Sequence, residues 1–341
     1  MKTSTWLRIL LPAMFVAWTL PSFAGEIHDA ALAGDVNTVA GLLDEGIDVN
    51  EREEAGGTAL HLASYAGHLP VVEILLERGA KLEFAAGPGR RALHLAALKA
   101  HPAIVGALLE HGANVDPVDE EGVTPLGLAV AACDLEVTKL LIDHGAEVNK
   151  RFHDRATVLH GLPYADRAER HREMAELLIA AGADVGATTL NERNTPLHTA
   201  AMFGEYDIVE LLLEAGADVE SANKFNDRPL HSASVTGQAR IVTLLLAHGA
   251  QVDVADASGM TALHWAAARG MRTRGRSMLD FVTWRRGGTA LPHDYVATAR
   301  ELIEHGASID KRDGKGRTAS KLAKKRGDPK MIALLKGGTK P

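Results

Sequence analysis

Apolar residues recur along this chain in a stripe of helical spacing that returns about every thirty-three positions. Val71, Val72, Leu75 and Leu76 are spaced i, i+1, i+4, i+5, which is one face of a helix. A shorter segment precedes each stripe, reading Gly-x-Thr-(Ala/Pro)-Leu-His-x-Ala in full form, and Leu-Leu-x-x-Gly-Ala closes it. The leucine of the opening recurs at Leu60, Leu93, Leu126, Leu159, Leu197, Leu230 and Leu263. The closing glycine recurs at Gly46, Gly79, Gly112, Gly145, Gly182, Gly216, Gly249 and Gly306. A fixed period of this length is the mark of a repeat architecture.

Each unit predicts two helices. Thr58-Ala59-Leu60-His61-Leu62-Ala63 opens the first, because threonine bonds the free backbone donors of a helix start and small residues let a neighbour approach. Gly67 is expected to end the first helix and Gly79 the second, at positions where a positive φ costs glycine little. One such pair cannot bury its apolar face alone, so neighbouring units must stack into a solenoid.

Thr124-Pro125-Leu126, Thr195-Pro196-Leu197-His198 and Thr261-Ala262-Leu263-His264 resemble the opening tetrapeptide of the ankyrin repeat. The resemblance runs over roughly residues 26 to 336 and gives nine units including caps. The first unit lacks the Thr-Pro-Leu-His opening but keeps Ala33-Gly34 and Leu42-Leu43; the last runs from Arg317 to Lys336. The resemblance implies an all-α repeat solenoid of helix-turn-helix units with β-hairpin fingers. It also implies recognition of a partner protein by a concave face, built from the fingertips and the positions that follow the Ala-Ala of each first helix. The helix positions are Tyr65, Leu98, Lys99, Met202, Phe203, Val235, Thr236 and Arg269. The fingertip positions are Glu54, Arg90, Glu120, Glu121, His153, Asp154, Lys224, Phe225 and Asp227. Tyr65, Phe203 and Phe225 are the expected solvent-facing anchors, aromatic residues being scarce here; Trp265 is expected in the core.

The chain opens with an export pattern. Lys2 and Arg8 lead an apolar run from Ile9 to Leu20, followed by Pro21-Ser22-Phe23-Ala24, so residues 1–24 are expected to be a signal peptide cut after Ala24. The run is shorter than the roughly twenty residues that span a bilayer. Residues 25–338 form the expected repeat domain and 339–341 a tail. Without an Asn-x-Ser/Thr site, a bacterial periplasm is favoured, with secretion as the alternative.

Charge is unevenly placed. Residues 25–268 carry a formal −20 and residues 269–341 a formal +11. The acidic part suits a basic partner and the C-terminal end an anionic surface. Equally, Lys321, Lys324, Lys325 and Arg326 give a capping unit its polar outer face. Nucleic acid is disfavoured by the export signal and the acidic body.

Candidate chemistry dissolves into the register. His61, His94, His160, His198, His231 and His264 share the fourth place of the opening, where the resemblance implies a structural imidazole bonded near the hairpin. His111, His144, His248 and His305 precede closing glycines, at helix C-termini. His68 and His101 start the inter-helix turn, while His28, His153, His171 and His293 stay unassigned, with no zinc-type pairing. Cys133, the only cysteine, stands where Gly67 stands. No Gly-x-Ser-x-Gly elbow or phosphate loop occurs, so no metal or cofactor is expected and catalysis is not.

Two units break the period. The fifth holds four extra residues around Tyr164 to Arg172, and one more is added before Leu197. The eighth holds an insertion of about residues 271–294, where Phe281, Trp284, Arg285 and Arg286 mix large apolar and basic side chains. The expected function is a non-catalytic, exported protein–protein interaction scaffold that inhibits or protects an exported enzyme. The alternatives are an enzyme or enzyme accessory protein, with chemistry around Asp280, His293 and Asp294, and a secreted effector that binds host proteins.

Overall fold

The computed structural model describes residues 25–54, 56–165, 168–268 and 294–337. The expected signal peptide, Arg269 and the insertion residues Phe281, Trp284, Arg285 and Arg286 lie outside the described residues. The described residues form nine helix pairs in two compact bodies, divided after Ala183. The N-terminal body holds Glu26–Ala33 with Val36–Asp44, Ala59–Ala66 with Leu69–Glu77, Ala92–Leu98 with Pro102–Glu110, Pro125–Ala131 with Leu135–Asp143, and a short Val158–Gly161 with His171–Ala180. The C-terminal body holds Pro196–Phe203 with Tyr206–Glu214, Pro229–Thr236 with Ala239–Ala247, Ala262–Ala268 with Tyr295–Glu304, and Ala319–Arg326 with Pro329–Gly337.

The apolar stripe is the core of each body. Val71, Val72 and Leu75 are fully buried, as are Leu108, Leu141, Leu178, Leu212 and Leu245 at the matching places. Each such leucine contributes about 1.5–3 kcal/mol by leaving water. Gly67 ends its helix at φ 90°, and Ala100 and Cys133 adopt the same left-handed turn at φ 57° and 50°, so Cys133 is indeed a small turn residue.

The histidines tie units together. The backbone N–H of Thr58 donates to His61 Nδ1 at 3.2 Å, and His61 Nε2 lies 3.1 Å from the carbonyl of Phe84 in the loop that follows. A carbonyl only accepts, so Nε2 carries the proton and the ring is the neutral tautomer. His94, His198, His231 and His264 repeat this, bonding the carbonyls of Val123, Asp227, Val254 and Arg317. Burial pushes His61 down to about 4 and His94 down to about 3, because a charged ring there would be poorly solvated. Unit four has Gly127 in this place, and the buried Phe152 ring fills the gap, its Cζ 3.0 Å from where a Cβ would stand.

Two unassigned histidines fall into register. His28 is buried and bonds the carbonyl of Glu51 at 3.0 Å, the same part that His61 plays one unit later. His171 stands at the register place of His68 and His101 but bonds the carbonyl of Ala165 in its own unit, whereas those two bond Leu32 and Tyr65 of the unit before. At the closing glycines, Nδ1 of His111, His144, His248 and His305 donates to the carbonyl four residues back, at 2.8–2.9 Å.

The fingers differ from the expected β-hairpins. Among the described residues there is no strand, only an isolated bridge between Ala86 and Arg90. A finger is closed by one backbone bond across four residues, such as Asp119 N–H to the Val123 carbonyl. The Asp119 carboxylate then accepts the N–H groups of Glu121 and Val123, and Asn223, Asp256 and Asp313 do the same in their fingers. Four residues are too few for a ladder, so a side chain supplies the missing acceptor. In the sixth finger the closing bond runs from Thr189 to Asn194, five residues, which accommodates the added residue. The fifth unit uses its four extra residues in two 3-10 turns, Leu162–Tyr164 and Ala168–Arg170.

Candidate partner-binding face

Just before each first helix ends stands the position expected at the partner-binding face. In the N-terminal body Tyr65 and Leu98 hold that place, both half-buried, and Lys99 is exposed. The Lys99 Nζ lies 4.8 Å from the centroid of the Tyr65 ring, which orients both side chains. The Glu120 side chain is exposed on its fingertip, while its backbone N–H donates to the Pro88 carbonyl of the preceding finger at 3.0 Å; Glu121 is half-buried beside it. Glu54, His153 and Asp154 also lie at fingers, Glu54 and His153 exposed.

Arg90 is not an available fingertip. It is buried, and its Nε lies 3.3 Å from Asp119 Oδ2 in a pair that excludes water. Its place is the stem of one finger, which faces the carboxylate of the next.

Phe84 belongs to this face and was not among the expected residues. The Arg52 guanidinium and the Lys81 ammonium each stand 5.2 Å from its ring centroid. Arg52 is held by the carbonyls of Gly56 and Ala85. The only signal in the sequence is a rare aromatic near a basic residue one period behind. Val118 and Leu190, exposed apolar residues at finger stems, were also passed over.

In the C-terminal body Met202 takes the place of Tyr65 and is half-buried. Phe203, the expected anchor, is buried at 2% exposure, and Thr236 at the same place in the next unit is buried too. One residue further along the helix lies about 100° round its axis, which turns the side chain inward. The Thr236 hydroxyl donates to the carbonyls of Ser232 and Ala233, while Val235 is half-buried. Lys224 is exposed and Phe225 half-buried on one fingertip. The Lys224 N–H donates to the Glu192 carbonyl at 2.8 Å and the Ala257 N–H to the Phe225 carbonyl at 2.8 Å, so adjacent fingers are joined. Trp265 is half-buried rather than core, packed on Met260, Ala268 and Leu322, with its Nε1–H donating to Asp256 Oδ2 at 3.1 Å.

Charge on this side is not neutralised everywhere. Burial, then the negative charges of Asp256 and Glu192, push the Asp227 carboxyl up to about 6, against a lowering bond from Asn223. Asp294, the final residue of the expected insertion, is a helix N-cap that accepts the Ala297 N–H at 2.8 Å. Among the described residues no group of three or more His, Cys, Asp or Glu is placed to hold a metal, and no helix is long and apolar enough to cross a membrane.

Family models of ankyrin repeats match residues 81–152, 167–223 and 217–280, and a further ankyrin-repeat model matches residues 27–76. A 61-residue stretch is 38% identical to the E3 ubiquitin-protein ligase KEG of Arabidopsis thaliana, covering 18% of this chain and 4% of that protein's length.

Proposed function

The chain belongs to the ankyrin-repeat family, and from that premise we propose that it is a non-catalytic, exported scaffold that binds a basic protein on its finger side. Ankyrin repeats support a protein–protein interaction role; the export route, the compartment and the partner's chemistry are this reading's own additions. The carrying observation is a set of side chains that stay partly or fully exposed: Tyr65 with Lys99, Leu98 and Glu120 in the N-terminal body, and Met202, Lys224 and Phe225 in the C-terminal body. Large half-exposed apolar groups beside charges are the composition of interface hot spots. The acidic excess of residues 25–268 adds attraction for a cationic partner at long range.

Export rests on the pattern of residues 1–24, with the bacterial periplasm as the destination and the medium as the alternative. In that setting the scaffold inhibits or protects an exported enzyme. Cell fractionation tests the address: recovery in the cytoplasm with residues 1–24 still attached sinks it. Affinity capture from periplasmic extract tests the face. The wild-type chain should retain a basic protein that the Tyr65→Ala/Glu120→Lys variant loses, with unchanged circular dichroism. Equal capture by both sinks the proposed face, and capture lost only on deleting residues 271–294 moves the site to the insertion.

A further inference from the structure

The repeat itself shows what each end of the chain has exchanged. Leu62, Leu95 and Leu128 are buried at one place of the repeat, and the first unit has Asp29 there, exposed. Buried Ala59 and Ala92 correspond to exposed Glu26, and His68, which bonds the unit before it, corresponds to exposed Asp35. At the other end, buried His61 and His264 correspond to exposed Lys321. Buried Ser64 and Ala267 correspond to exposed Lys324, and buried Leu76 to exposed Lys336.

Two apolar residues whose counterparts are fully buried inside the stack are half-buried at the ends: Leu42, at the place of Leu75, and Ile332, at the place of Val72. Residues 25–51 hold seven acidic and no Lys or Arg side chains; residues 317–337 hold seven basic and one acidic. A polar cap needs charge for solubility but has no need of opposite signs at the two ends. Asp35 is kept ionised, its pKa lowered first by the Thr38 N–H.

We propose that the protein associates head to tail, the last unit of one copy stacking on the first unit of a second copy, with Lys321, Lys324 and Lys336 facing Glu26, Asp29 and Asp35. The second copy stands to each end unit as one inner unit stands to the next, in the sense of stacking used inside the chain. The contact is heterologous, so it leaves a free end of each sign and continues into longer assemblies. An end pairing with its own kind would set acid on acid or base on base. Exposed charge pairs of this sort are individually weak and screened by salt.

Sedimentation velocity of the mature chain, without residues 1–24, over a concentration series tests this. At about 0.01 M salt, where the Debye length is about 30 Å, the sedimentation coefficient should rise with concentration; at about 1 M salt it should not. Lys321→Glu/Lys324→Glu and Glu26→Lys/Asp29→Lys should each sediment as monomers with unchanged circular dichroism. Mixing these two variants, which again sets opposite charges at positions 26 and 29 of one copy against 321 and 324 of the other, should restore association. Three results overturn the proposal: a monomer at every salt, association indifferent to both variants, or binding of anionic phosphatidylglycerol vesicles by a chain that does not self-associate.

Discussion

One pair of places in the repeat is filled in opposite ways by the two bodies. In the N-terminal body Arg90, on a finger stem, meets Asp119 of the next finger as a buried ion pair. In the C-terminal body the same places hold Asp227 and Asp256, two acids, and burial together with the charge of Asp256 raises the Asp227 carboxyl to about 6. Between these extremes Asn223 donates its amide to Asn194 Oδ1 at 2.8 Å. Units stack in all three cases, so this rung adds to or subtracts from a stack that the apolar stripe has already secured.

The largest expected effect tests that ranking. Leu212→Ala should cost about 2–5 kcal/mol in the urea melt of the C-terminal body, the range for a buried leucine cut to alanine. A shift near zero would break the claim that the stripe dominates. Arg90→Leu should cost about 3 kcal/mol, since it strands the Asp119 carboxylate in the interior; the two N–H groups that Asp119 keeps set it at the low end of such losses. A loss below about 0.5 kcal/mol would reduce the ion pair to a spectator.

Asp227→Asn should act in the opposite direction. The folded chain binds the Asp227 proton more tightly than the unfolded chain, so the wild type loses stability as pH rises from about 4 through about 6. The variant should be about 1 kcal/mol more stable at pH 8, after allowing for the partial exposure of the group, and the two should converge near pH 4. Parallel pH profiles would mean that neither burial nor the Asp256 charge raises the Asp227 carboxyl. Smaller still, Arg155→Gly and Arg193→Gly should each add about 0.5–1 kcal/mol, because these exposed fingertip residues hold φ near 60° where other fingers use glycine. Thermal melts that fall instead would assign the arginine side chains a contact that outweighs the strain.

The stack was legible in the sequence because its forces are periodic. Val71, Leu108, Leu141 and Leu212 repeat one burial pattern, and His61 and His264 repeat one set of bonds. What escaped depends on phase or on neighbours a period away. Met202 and Phe203 differ by one step around a helix, and that step separates a half-exposed side chain from a buried one. His28 was hidden by the loss of the Thr-Pro-Leu that precedes it elsewhere, although its bond to Glu51 survives. The Arg52 cation beside Phe84 and the acid beside Asp227 come from adjoining fingers, and adjacency of that kind appears only when the units are stacked. The fingers were read as hairpins because their turn residues are those of hairpins; the Asp119 carboxylate takes over the work of a second strand.

The joined fingertips bear on the thermodynamics of capture. In each body a backbone bond links one tip to the next, from Glu120 to Pro88 in the first and from Lys224 to Glu192 and Ala257 to Phe225 in the second. Loops carrying recognition residues ordinarily lose conformational entropy when a partner arrives, about 1–2 kcal/mol for each residue whose backbone is newly fixed. Here much of that ordering is complete before any encounter. Affinity can then be altered by exchanging tip side chains such as Glu120 or Lys224 without disturbing the frame that presents them, and dissociation leaves the fingers as they were.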